Sequence, residues 1–159
     1  MDTVAGIYNC SGDIRYATGI TSPISCLELS EKLDRLAESK KEFLTGIFTT
    51  DTKHESIDGS SQLAGIISGV LYDKTLWIKL MAVLPRFRHM GIGSRAAGLL
   101  FQYSITCYGA TEVFISVIEK NAIGRRFWRS QKFLEACRFN KELFDGEPPY
   151  EVLIMHRRL

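Results

Sequence analysis

A chain of 159 residues and 18.0 kDa has the length of one domain with a core of its own, and a single domain over 1–159 is expected. Hydrophobic residues make up 45% and charged residues 24%, a soluble globular balance that excludes disordered, collagen-like and disulfide-scaffold classes. Twenty basic against 18 acidic residues leave a net charge of +2, which argues against a dedicated nucleic-acid coat protein but leaves room for a local basic patch.

Along the chain, 4–9 is a short apolar run that ends at the turn-like Cys10-Ser11-Gly12-Asp13. From Ser25 the spacing becomes helical, with Leu29, Leu33 and Leu36 on one face, and this helix should end near Lys40 or Lys41. Residues 43–50 read as a strand and 51–61, polar and without apolar period, as an exposed hairpin loop. Two β-rich runs follow at 63–72 and 76–84, joined tightly through Asp73-Lys74-Thr75, so the three strands form an antiparallel meander. Pro85 cannot donate to a ladder and closes the third strand. Residues 93–108 have the spacing of a helix. The near-continuous apolar run 113–118 reads as a strand buried on both faces. Strand, helix, strand demands a right-handed crossover and a parallel pair. A second helix at 121–131 and closing strands at 133–140 and 150–156, linked through Gly146-Glu147-Pro148-Pro149, complete an α/β domain with a mixed, mostly antiparallel sheet and flanking helices.

Cys10, Cys26, Cys107 and Cys137 are scattered and form no C-x-x-C pair, so neither a structural zinc site nor a redox dithiol is expected. No metal is expected. No basic n-region precedes an apolar core and no apolar stretch approaches the roughly 20 residues of a membrane helix. A cytoplasmic setting with reduced thiols, and no membrane partner, is the expectation.

The chemistry should lie in Leu84-Pro85-Arg86-Phe87-Arg88-His89-Met90-Gly91-Ile92-Gly93-Ser94, which sets two glycines and several basic side chains between a strand and the first turn of a helix. That turn carries unpartnered N–H groups and the positive end of the helix dipole, and glycine lets an anion approach the backbone. No Lys-Ser or Lys-Thr follows the glycines, which argues against a nucleoside-triphosphate loop, and the third glycine of a dinucleotide fingerprint is missing.

Arg88-His89-Met90-Gly91-Ile92-Gly93 resembles the Arg/Gln-x-x-Gly-x-Gly/Ala signature of the GCN5-related N-acetyltransferases (GNAT superfamily). Asn121, Ala122, Phe127 and Phe133 echo the family's later Asn…Phe-Tyr…Gly-Phe stretch, and element order is similar from a first strand to the closing pair. The resemblance implies an N-acetyltransferase with acetyl-coenzyme A as co-substrate and a small-molecule or protein amine as acceptor, attacked directly in a ternary complex. The backbone N–H groups of Arg88, His89, Met90, Gly91, Ile92, Gly93 and Ser94 would cradle the pyrophosphate. Met81, Ala82 and Val83 would pair with the pantetheine like an added strand, opened by a bulge and splay, with Asn121 beside that arm. A non-catalytic acyl-coenzyme A-binding regulatory module is the alternative. Folds of this kind often form homodimers, for which the closing strands offer a surface.

Two residues depart from the family pattern. Trp128 stands where a general-acid tyrosine is common, and an indole N–H cannot protonate a leaving thiolate, so packing is the simpler role. Lys132 stands where the family has glycine. A base is equally hard to name: 76–84 holds no carboxylate, and Glu119, near the cofactor-facing end of its strand, would ordinarily be solvated. Tyr103, Tyr108 and Tyr150 are explained by packing, and no catalytic side chain is assigned. Lys120, Arg125, Arg126, Arg129 and Lys132 make a basic cluster that could meet a coenzyme A phosphate or simply face solvent.

Overall fold

The computed structural model describes residues 2–9, 23–50, 61–142, 146 and 148–159. The turn at 10–13, the polar loop at 51–60 and Glu147 lie outside the described residues. The N-terminal apolar run is a helix, α1 (Asp2–Asn9), and not an opening strand. Ala5, Ile7 and Tyr8 are buried with Val4 beside them, a three-to-four-residue recurrence that a six-residue run is too short to separate from a strand by eye. The Asn9 amide clips the end of α1 to the next segment, donating to the Ile24 carbonyl at 3.0 Å and accepting from the Ile24 N–H at 2.8 Å.

Helix α2 (Cys26–Glu38) begins at a reciprocal capping box: the Ser25 hydroxyl accepts from the Glu28 N–H and the Glu28 carboxylate accepts from the Ser25 N–H. These bonds hold the Glu28 carboxyl below its ordinary range. Leu29 is fully buried and Leu33 packs beside it. The meander follows as β1 (Glu42–Thr50), β2 (Ser61–Tyr72) and β3 (Thr75–Val83), and a 3-10 turn at Pro85–Phe87 leads into α3 (Ile92–Tyr108). Then come β4 (Glu112–Ile118), α4 (Ala122–Ser130), β5 (Leu134–Lys141) and β6 (Tyr150–Arg158). The sheet runs β1-β2-β3-β4-β6-β5, and β3–β4 is its parallel pair.

Each face of the sheet has its own cluster. Leu76, Ile78, Val113 and Ile115 pack with Phe101 of α3 and with Phe133, whereas Ile66, Leu80 and Ala82 pack with α1 and Leu29. Strand β4 alternates instead of being buried on both sides: Val113, Ile115 and Val117 are buried, and Ser116 is exposed. Ser116 and Phe114 point to the other face, the one that α1 and α2 cover at β2 and β3. There Trp77, Phe114 and His156 stack across three strands, at centroid separations of 5.5 and 4.6 Å, and the His156 ring reaches Glu112 at 3.1 Å.

Helix α4 ends by folding back through the Phe133 N–H to the Trp128 carbonyl, which requires a left-handed residue in between, and Lys132 has φ +65°. A side chain there costs about 1 kcal/mol or more against glycine, partly offset by glycine's greater freedom in the unfolded chain. Lys132→Gly should therefore stabilise the chain by about 0.5–1 kcal/mol and raise Tm by about 1–4 °C in thermal unfolding. An unchanged or lower Tm would contradict the left-handed assignment.

Candidate active site

The site begins with one extra residue. Ser68 pairs with Leu80 but Gly69 with Ile78, so Lys79 is bulged out of β3. Gly69 permits this, because a Cβ there would lie 2.5 Å from the Trp77 carbonyl oxygen. Alternation along β3 inverts at the bulge. Before it Leu76 and Ile78 join the core under α3; after it Leu80 and Ala82 turn to the opposite cluster, and Met81 and Val83 pack against the first. The rungs between β3 and β4 stop at the same place: pairing runs from Thr75↔Glu112 to Ile78↔Ile115 and no further. The two strands diverge beyond it.

This divergence leaves an open strand edge. The Leu84 N–H donates to the Ala64 carbonyl of β2 at 2.8 Å, so by the period of two Ala82 also faces β2, while Met81 and Val83 turn their backbone groups toward the space β4 has vacated. Arg88 Nε caps the Val83 carbonyl at 2.9 Å and ties the following loop to the strand.

In the loop, the Arg88 N–H is already engaged by the Pro85 carbonyl, so it is not available to an anion. His89 and Gly91 both have positive φ, +61° and +74°, which curls the backbone into a concave turn. Gly91 caps α3 without any side-chain hydrogen bond, and the first turn holds no acidic residue. The helix ladder starts with the Arg95 N–H on the Gly91 carbonyl, which leaves the Ile92, Gly93 and Ser94 N–H groups without a helical acceptor. Ser94 is anchored through its hydroxyl, which accepts from Gln131 Nε2 at 3.0 Å.

Between the diverging strands and the α3 N-terminus runs a cleft of about 540 Å³, within the usual size of ligand sites. It brings together Met81, Ala82 and Val83 with Arg88, His89, Gly91, Ile92, Gly93, Ser94 and Asn121. Met90 is 60% exposed and outside the cleft wall. Asn121 caps α4, its Oδ1 accepting from the Gly124 N–H at 2.8 Å, and a Cβ on Gly124 would press against the Asn121 amide. Trp128 is buried between Phe127 and Phe133, at 4.9 and 5.1 Å, in edge-on packing along the cleft.

Glu119 is ion-paired with Arg125 at 2.9 Å and does not line the cleft. Tyr103 and Tyr108 lie on the outer side of α3, and Tyr150 packs with Ile118 and Val152. Of the basic cluster, Arg126 reaches the cleft wall. Among the described lining residues the charged or titratable side chains are Lys79, Arg88, His89 and Arg126, with no carboxylate. Sequence reasoning missed Ser116, which borders the cleft from the face opposite α3, and the Lys79 bulge; apolar residues at both parities of β3 hide the bulge from any pattern.

Comparison with known proteins agrees with this geometry. The model of the acetyltransferase (GNAT) family matches residues 27–133. Among solved structures, the spermidine N-acetyltransferase of Vibrio cholerae, in complex with CoA and spermine, superposes with a TM-score of 0.75 at 13% identity over 99% of this chain and 88% of that one. The smu.2055 protein of Streptococcus mutans gives 0.71 at 17% over 99% and 92%. The ribosomal-protein-S18-alanine N-acetyltransferase of Escherichia coli gives 0.63 at 16% over 93% and 89%. No curated protein matches the chain. At such identities the structures establish the fold, while the family match covers most of the chain. The chain belongs to the acetyltransferase (GNAT) family, as an acetyl-CoA-dependent N-acyltransferase. Free N–H groups at the α3 N-terminus, a left-handed glycine and a cleft wall without carboxylates all suit an anionic donor. No helix among the described residues is long and apolar enough to cross a membrane.

Two substitutions separate support from contact. Asn121→Ala removes the α4 cap and should cost about 1 kcal/mol, lowering Tm by about 2–4 °C. Arg88→Ala frees the loop from the strand and should weaken acetyl-CoA binding about tenfold in calorimetry, consistent with a charge-assisted bond. Native affinity in Arg88→Ala would show that the loop holds its shape without that bond.

Proposed function

We propose that the chain transfers the acetyl group of acetyl-CoA to a primary amine by direct attack, with both substrates held in the cleft between β3 and β4. The observation that carries this reading is the loss of β3–β4 pairing after Ile78 and Ile115, opening a strand edge that leads to the uncapped N-terminus of α3. The Ile92, Gly93 and Ser94 N–H groups hold the pyrophosphate, with Gly91 and His89 shaping the turn; Met81 offers its backbone groups and Val83 its N–H to the pantetheine amides, beside Asn121. Acetyl-CoA, when bound, supplies a thioester carbonyl whose C–S bond breaks as the C–N bond forms. A backbone N–H on the open edge of β3 faces the carbonyl oxygen as negative charge develops there.

The acceptor has its own approach. The cleft wall includes residues from both faces of the sheet, with Met81 and Val117 on the α3 side and Ser116 on the opposite side. The donor loop occupies the first side, so the amine enters past Ser116. At pH 7 an alkyl ammonium must lose a proton, at a cost of about 4 kcal/mol. The described wall holds no carboxylate and its His89 belongs to the donor loop, so that proton passes to solvent. By their names the Vibrio cholerae relative acetylates spermidine and the Escherichia coli one a ribosomal-protein alanine. An amine acceptor for this chain is in keeping with both.

Acetyl-CoA at about 100 times its Kd should raise Tm by about 5–10 °C, while a nicotinamide dinucleotide should not. Gly91→Glu puts a side chain at φ +74° and a carboxylate against the anion, and should abolish the shift while the far-UV signal stays. Amine-dependent release of free thiol then establishes transfer. Binding without thiol release across a broad amine screen would mark a non-catalytic acyl-CoA-binding module.

A further inference from the structure

Helix α3 is too apolar for the position it occupies. Its 17 residues carry a single charge, Arg95. Ile92, Ala97, Phe101 and Ser104 face the core, but the opposite side presents Leu99 at 68% exposure and Tyr103 at 55%. A surface helix ordinarily turns charged residues to water, and one that is apolar all round is ordinarily covered. Gly98, next to Leu99, has open space where its Cβ would lie, so no contact within the chain calls for a glycine that weakens the helix. Between this side of α3 and β1 runs a groove of about 1050 Å³, floored by Phe43, Ile47 and Leu71.

We infer that the outer face of α3, with the groove beside it, is the contact between two copies of this chain. The stripe Arg95, Leu99, Tyr103 repeats every four residues and so forms one ridge of the helix. In an antiparallel pair of α3 helices centred on Leu99, the two leucines meet at the two-fold axis. Arg95 of each copy then lies over the Tyr103 ring of the other, a cation on an aromatic face. Tyr108 holds that ring in place, 5.7 Å away. The face is thus complementary to itself: the one cation finds a ring, and the apolar ridge finds the groove. A two-fold interface requires such self-complementarity. A partner of strong charge of either sign would gain little from so neutral a helix. The closing-strand edge is a poorer candidate, since β5 is bulged at Ala136 and carries Glu135, Arg138 and Lys141, features that discourage edge pairing.

The test is sedimentation velocity on the full chain, from low micromolar to a few hundred micromolar, with acetyl-CoA thermal shift as the control for an intact fold and donor site. The parent chain should sediment as a dimer. Leu99→Arg should sediment as a monomer with an unchanged acetyl-CoA shift, since Leu99 lies outside the donor cleft. Leu134→Arg, on β5, should leave the dimer intact. Leu99→Cys should yield a disulfide-linked dimer on mild oxidation that the parent chain does not, because the axis brings the two positions together. A parent chain monomeric throughout, a dimer that survives Leu99→Arg, or one lost in Leu134→Arg overturns the inference.

Discussion

The arrangement of the site depends on where the parallel ladder between β3 and β4 stops. Four rungs hold the strands together, and a single extra residue, Lys79, ends the pairing. A bulge increases local twist, and a strand twisting away from its neighbour has to expose a row of backbone donors and acceptors. In most sheets that row is an aggregation hazard. Here it is sheltered by α3 and α4 and opens only into a cleft, where an extended amide-bearing ligand is the natural partner. The bulge also reverses the side-chain parity of β3, so that the same strand contributes Ile78 to the core under α3 and Leu80 to the cluster under α1.

The loop after β3 is held by several independent constraints. Arg88 is tied to the strand end by its side chain and to Pro85 by its N–H; Ser94 is tied to Gln131 at the end of α4. Between these anchors the backbone passes twice through positive φ, a strained path for His89. Such strain persists only where the surroundings over-determine it. The result is a first helical turn whose N–H groups point outward with no side chain competing for them.

Much of this was legible before any coordinates. Pro85 ends β3, the glycines open α3, and the meander, crossover and closing pair follow from apolar alternation and turn residues, which report local backbone preference. Tertiary events left no such mark. Because Trp77 and Met81 are as apolar as Leu76 and Leu80, neither the bulge nor the reversal of parity could be read. Strand β4 reads as buried on both faces because Phe114, half-buried between Trp77 and His156, is as hydrophobic as the core residues flanking it. The N-terminal helix was too short for its period to speak. Lys132 shows the opposite case: the sequence departs there from the family's glycine, yet the backbone still takes the left-handed turn that glycine serves.

The aromatic packing on the two sides of the sheet has a spectroscopic consequence. The chain has two tryptophans. Trp128 forms part of the cleft wall, while Trp77 sits stacked on Phe114, on the sheet face opposite α3 at the last rungs before the strands part. Their emission is therefore spatially resolved without any label: one indole senses what enters beside α4, the other what settles on the far side. Single Trp→Phe variants would make the two substrates' arrivals separately visible in one cuvette, and so give their order of binding.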